Sequence, residues 1–220
     1  MIRRDYILRM IEELMQALSR IRSLKQGQRW NEAADELDSE FQKLIGEGAE
    51  SIARRSETEL LARLMQDGPT HALRDKTFIL ATLLAEAGDV AAGKDQSAAG
   101  RECHLKALHL LLDVLGRDDV FECPGFVPKV ELLRERLRNE PLPLRTLAML
   151  MQHYERTGEF AKAEDELFAM LDAEPDNDTI KEFGITFYQR LLAQSDATLA
   201  AANLPRAEVE EGLKKLRRQK

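Results

Sequence analysis

Very little in this chain points to a disulfide-bonded, strand-built or aromatic-rich protein. Its 220 residues include only two cysteines, Cys103 and Cys123, which make neither a disulfide framework nor the close spacing of a zinc site. Aromatic residues make up 5%, and no run alternates Val, Ile and Thr as a strand would. The most apolar stretch, residues 78–87, is too short to cross a bilayer. Arg3 and Arg4 lead into a charged amphipathic segment rather than an apolar one, so we expect no signal peptide and no membrane partner.

Positive charge is outweighed overall, 32 Lys or Arg against 39 Asp or Glu. A formal net charge of -7 and a pI near 5.3 argue against nucleic-acid binding, which needs a basic footprint to displace counterions from phosphate.

Catalytic and metal-binding patterns are thin as well. There are four histidines; His104 and His109 stand about 140° apart around a helix and cannot serve one metal from one face. His71 with Asp75 and His109 with Asp113 are each four apart and read as surface pairs. The stretch Gly88 to Asp95 reads G-x4-G-K-D, one residue short of a phosphate-binding loop. It lacks the preceding strand, and Asp95 stands where a hydroxyl would meet magnesium. We expect no cofactor, no metal and no enzyme activity.

What is present is helical. Hydrophobic residues make up 44% and charged residues 32%, and a chain of this length can remove about 70% of its surface from water. Charge is uneven: residues 1–30 carry seven Arg or Lys against three acids, and residues 31–50 carry seven acids against Lys43 alone. Glu164, Asp165 and Glu166 read as solvent-facing.

Residues 5–24 place Ile7, Met10, Leu14, Ala17, Ile21 and Leu24 at 3-4-3-4-3 spacing, a heptad seam expected to pack on the next helix of its own chain, with a homodimer through 5–24 as the alternative. Trp30, Ala33, Leu37 and Phe41 form that next helix, closed by Gly46 and Gly48. Ser56 and Glu59 make a capping box for a helix that Gly68-Pro69 ends.

From Thr70, a helix through Leu80, Ala81 and Leu84 is expected to turn at Gly88. Residues 89–98 read as an insertion, and Cys103, Ala107, Leu110, Leu111 and Val114 read as the returning helix. Residues 116–128 are irregular, with a turn at Cys123-Pro124-Gly125. A short helix follows to Asn139 through Val130, Leu133 and Leu137. A last helix begins near Leu204-Pro205 and uses Val209, Leu213 and Leu216.

The most informative stretch is Leu144 to Pro175. Leu147, Leu150, Met151 and Tyr154 share one helical face, Gly158 follows as a turn, and Ala163, Leu167 and Pro175 complete a 34-residue spacing. Tyr188 falls 34 residues after Tyr154. Residues 144–194 therefore resemble tetratricopeptide proteins. The opening Asp5-Tyr6-Ile7-Leu8-Arg9-Met10-Ile11-Glu12 is similar to the start of an uncharacterised bacterial family, which implies a bacterial source and no particular activity.

The tetratricopeptide resemblance implies an all-α stack of antiparallel helix hairpins. We read one helical repeat domain over 1–220, with sub-units 1–115 and 127–220. It also implies a peptide or protein partner docked on first helices along a concave groove, at Arg145, Ala148, Met149, Gln152, Glu155 and Arg156, then Thr179, Glu182, Phe183, Thr186, Gln189 and Arg190. The expected function is a non-catalytic, cytoplasmic protein-binding scaffold; the alternative is a structural homo-oligomer.

Overall fold

The computed structural model describes residues 2–66, 72–117 and 123–218, with side chains from residue 8 onward. The expectations for Gly68-Pro69, His71, the Asp5-Tyr6-Ile7 side chains and residues 118–122 lie outside what is described. Twelve α-helices and no strand occur among the described residues, and neighbouring helices pack in pairs as an all-α stack. The chain divides into two compact units, Met1–Glu140 and Pro141–Lys220.

In the first unit, α1 (Ile2–Gln26) turns back as α2 (Trp30–Ile45). The turn at Gln28 takes a left-handed φ of 55°. The α1 seam is used inside the chain: Leu14, Ala17, Leu18 and Ile21 are buried, with α2 and α5 as the neighbouring helices. Gly46 ends α2 with φ 77°.

A short helix that the sequence did not announce, α3 (Ala49–Arg54), follows, and the Asp38 carboxylate accepts from the Ala49 N–H at 2.7 Å. The capping box is present on α4 (Glu57–Gln66). Ser56 N–H donates to Glu59 Oε2 at 2.8 Å, and Glu59 N–H donates to Ser56 Oγ at 3.3 Å.

The core helix is α5 (Leu73–Gly93), whose residues Lys76–Leu84 are buried all round, as expected of a helix enclosed by others. It packs on α1, α2, α4 and, most extensively, α6 (Ser97–Arg117). Here the sequence reading needs correction, because α5 does not stop at Gly88 and residues 89–98 are not an insertion. Ala91 and Ala92 carry the helix on to Gly93, and the turn falls at Asp95, φ 59°.

Gly88 serves another purpose. A side chain there would strike the His104 ring, and a Cβ on Gly100 would lie 2.8 Å from the Gly88 carbonyl oxygen. The two helices approach closely because both positions lack a side chain. The phosphate-loop resemblance also ends here, since Gly88–Gly93 is helix.

The short helix α7 (Val130–Arg136) buries Val130 and Leu133 and packs on α6. Residues 127–140, which the sequence reading gave to the C-terminal sub-unit, thus belong with the first unit. Val127, Val130, Leu133 and Leu137 are buried there, and Leu132 is exposed.

In the second unit, α8 (Leu144–Thr157) buries Leu147, Leu150, Met151 and Tyr154. Gly158 then takes φ 77°, a left-handed turn that a residue with a Cβ resists. The paired helix α9 (Phe160–Ala173) buries Ala163 and Leu167. Asn177 caps α10 (Asp178–Leu192), its side chain accepting from Thr179 N–H at 3.0 Å and Ile180 N–H at 3.4 Å. Ser195 caps α11 (Asp196–Ala201), another helix unforeseen in the sequence. The last, α12 (Arg206–Arg218), buries Val209, Leu213 and Leu216 and packs on α10.

Candidate functional site

The side chains expected to bind a partner fall on α8 and α10. Both helices are amphipathic, and burial of one side leaves the other available. On α8, Arg145, Gln152 and Arg156 are exposed, and Ala148, Met149 and Glu155 are half-buried. On α10, Thr179, Glu182, Thr186, Gln189 and Arg190 are exposed and Phe183 is half-buried. The opposite side of α10 holds Gly184, Phe187 and Tyr188, all buried; the Tyr188 ring lies over Gly212 and a Cβ on Gly184 would meet Leu216 at 2.6 Å. The C-terminal helix α12 therefore covers the back of α10 and leaves the expected binding side uncovered by the second unit's own helices.

One expected role changes. Arg190 is engaged by Glu155 in a two-point ion pair, its Nε at 2.6 Å and Nη2 at 2.7 Å from the two carboxylate oxygens. Such a fork is directional, so Arg190 ties α10 to α8, and its guanidinium is committed before any partner arrives. Glu155 holds the Arg190 guanidinium above its usual pKa, chiefly through the hydrogen bonds.

The neighbouring acids also differ from expectation. Glu166 is buried rather than solvent-facing, and Glu164 accepts from the Tyr188 hydroxyl at 2.6 Å. Burial raises the Glu164 carboxyl despite that bond, and burial together with Glu164 pushes the Tyr188 phenol well up. Tyr188→Phe removes one donor while leaving the ring in place, and is expected to lower stability by about 1 kcal/mol, read as a shift of the urea midpoint at constant slope. An unchanged midpoint would mean that water replaces the hydroxyl without loss.

The first unit holds a second constellation that no local motif announced. His109, read as a surface residue, and His104 are both buried and bound to distant carboxylates. His104 Nε2 lies 3.2 Å from Asp89 Oδ1, and His109 Nδ1 is hydrogen-bonded to Glu57. The expected His109 and Asp113 pair does not form; Asp113 binds Arg117 at 2.9 Å.

Around Asp89 the contacts multiply. Lys25 Nζ donates to Asp89 Oδ2 at 2.7 Å and to Glu86 Oε2 at 2.6 Å. Arg22 Nε donates to Glu86 Oε1 at 3.0 Å. Arg136 forks onto Asp89, with Nε 3.0 Å from Oδ1 and Nη2 3.1 Å from Oδ2. Burial alone would raise the Asp89 carboxyl, but hydrogen bonds from His104 and Lys25 and the charges of Lys25 and Arg136 bring it down to about 2.

Arg22, Glu86, Asp89, His104 and Arg136 line a cavity of about 450 Å3 together with the apolar Phe126, Val127, Pro128, Leu132 and Leu133 and the interspersed Lys129 and Glu131. The signal was invisible in the sequence because Arg22, Asp89, His104 and Arg136 come from four different helices. No cluster of three or more metal-ligating side chains occurs among the described residues, and no helix among them is long and apolar enough to cross a membrane.

A family profile described as DUF6483, a family of unknown function, matches residues 1–220. The chain belongs to that family. No curated protein and no solved structure matches the chain.

Proposed function

We propose that the second unit is a tetratricopeptide-like, non-catalytic binding module whose ligand is an acidic peptide with apolar anchors, laid along the outward sides of α8 and α10. The carrying observation is the division of α10 into two sides: Tyr188 and Gly184 are buried, while the expected binding side chains remain exposed. A helix needed only for packing can be covered on either side. Here α12 takes the back and leaves Arg145, Gln152, Arg156, Glu182 and Gln189 at the front.

The repeat reading is supported by the buried Leu147, Leu150, Met151 and Tyr154, by the left-handed Gly158, and by Ala163 and Leu167 in the packed α8 and α9 pair. The peptide chemistry follows from the side chains. Arg145, Arg156 and Arg190 outnumber Glu155 and Glu182, and Met149 and Phe183 offer apolar contact. Groove recognition of a peptide by alternating charged and apolar contacts is the matching mode. Free Cys103 and Cys123 fit the reducing bacterial cytoplasm we infer as the setting. The homodimer through residues 5–24 has less support, because the α1 seam is buried in its own chain.

The test uses a fluorescein-labelled peptide of alternating Glu and Leu, with a Lys and Leu counterpart as control, read by anisotropy. The acidic peptide is expected to bind, and Arg145→Glu combined with Arg156→Glu to weaken it by about tenfold or more at unchanged helicity. Equal binding of both peptides, or no effect of the double reversal, would remove the reading. Arg190 is left intact so that Glu155 keeps its partner.

A further inference from the structure

We propose that the cavity between α5, α6, α7 and the Gly125–Lys129 segment is a binding site for a small apolar monocarboxylate. It goes beyond the peptide-binding reading, and every residue involved lies in the first unit.

Three observations lead there. The cavity, about 450 Å3, falls within the range of small-ligand sites. Its lining is chemically mixed, combining Phe126, Val127, Leu132 and Leu133 with Arg22, Glu86, Asp89, His104 and Arg136. Leu132 is 47% exposed, an apolar side chain at the opening rather than in the core, so an apolar ligand would bury surface that now meets water.

The charge inventory selects the headgroup. Among the lining residues Arg22, Lys129 and Arg136 match Glu86, Asp89 and Glu131, and Lys25, bonded to both Glu86 and Asp89, leaves a surplus of one positive charge before His104 is counted. The guanidinium side chains of Arg22 and Arg136 remain 52% and 46% exposed, so each can add a carboxylate oxygen at its open edge without giving up its present partner. A monoanion balances the surplus. A phosphate dianion would leave the site negative beside the buried Glu86 and half-buried Asp89 carboxylates, and a cation would meet the surplus directly.

The same headgroup is carried by a free aromatic or aliphatic acid and by the C-terminal residue of a peptide. The probes are therefore 3-phenylpropionate, its alcohol 3-phenylpropanol, phenethylamine, and acetyl-Gly-Phe with a free or an amidated C-terminus. Titration by calorimetry, with chemical shifts of the Leu132 and Leu133 methyls, reports affinity and place.

We expect 3-phenylpropionate to bind at ~0.1–1 mM and to move both methyl signals, the alcohol and amine to bind at least about tenfold more weakly, and Arg136→Gln to weaken the acid about tenfold. Free acetyl-Gly-Phe binding tighter than phenylpropionate identifies a peptide terminus as the source of the headgroup; the reverse order identifies a free acid. Equal affinity for acid and alcohol overturns the assignment, and so does absence of acid binding at about 10 mM. These comparisons need only the wild-type protein, so they decide the matter even where Arg136→Gln fails to fold. The second-unit double reversal serves as a control and is expected to leave acid binding unchanged.

Discussion

Ile21→Asp is expected to unfold the first unit outright. Ile21 has no exposed surface, on a helix flanked by α2 and α5. Removing its side chain alone would cost about 2–5 kcal/mol. Placing a carboxyl there adds the desolvation of a polar group or charge, at least about 1–3 kcal/mol even when the group protonates. The sum approaches the whole stability of a typical domain, about 5–15 kcal/mol. Circular dichroism should show a large loss of helix or a melting temperature lower by tens of degrees. This outcome separates internal packing from self-association. A seam used only between copies would give a well-folded monomer with native helicity, and that result would place Ile21 at an interface and revive the homodimer.

Gly100→Val should be the most damaging single methyl-scale change in the helix pair at the centre of that unit. Local propensity favours it, since glycine in a helix costs roughly 0.8–1.0 kcal/mol relative to alanine. Packing opposes it more strongly. The new Cβ would sit 2.8 Å from the Gly88 carbonyl oxygen and 3.3 Å from the Ala92 nitrogen, which are backbone atoms that cannot rotate away. Forcing extra methyl groups into such a contact costs about 1–3 kcal/mol or more. It would also pull α5 from α6 where Asp89 meets His104. We expect a net loss of about 2–3 kcal/mol by urea denaturation, whereas Gly125→Ala, which would place a Cβ with nothing within 4 Å, should change little. A stabilised Gly100→Val would show that helix propensity outweighs the close approach.

These positions also show where sequence reading succeeds and fails. Periodicity found α8 and α9 because Leu147, Leu150, Met151 and Tyr154 are near neighbours whose spacing carries the signal. The capping box of Ser56 and Glu59 was legible because both partners lie within four residues. Gly88 misled because a glycine before a glycine-rich, alanine-rich stretch resembles a turn locally, while its reason is the His104 ring sixteen residues on. Asp89, His104 and Arg136 were not joined, since the pairing depends on α7 returning to α6. Burial of Glu166 was hidden in the same way: three consecutive acids look solvated until the helix face is known. For the side chains expected to bind a partner, the spacing placed them away from the buried sides of α8 and α10 but did not show that Glu155 would already hold Arg190.

The central place of α5 has a further consequence for how the protein is made. α1, α2 and α4 precede α5 in the chain, and all three pack against it. A ribosome adds about 5–20 residues per second. Until Gly93 has left the exit tunnel, Leu18, Ile21, Leu37, Leu60 and Leu64 therefore lack the helix that shields them for a period on the order of seconds. The nascent first unit then exposes apolar surface of the kind that favours aggregation, and slower codons within residues 73–93 are expected to lengthen that interval.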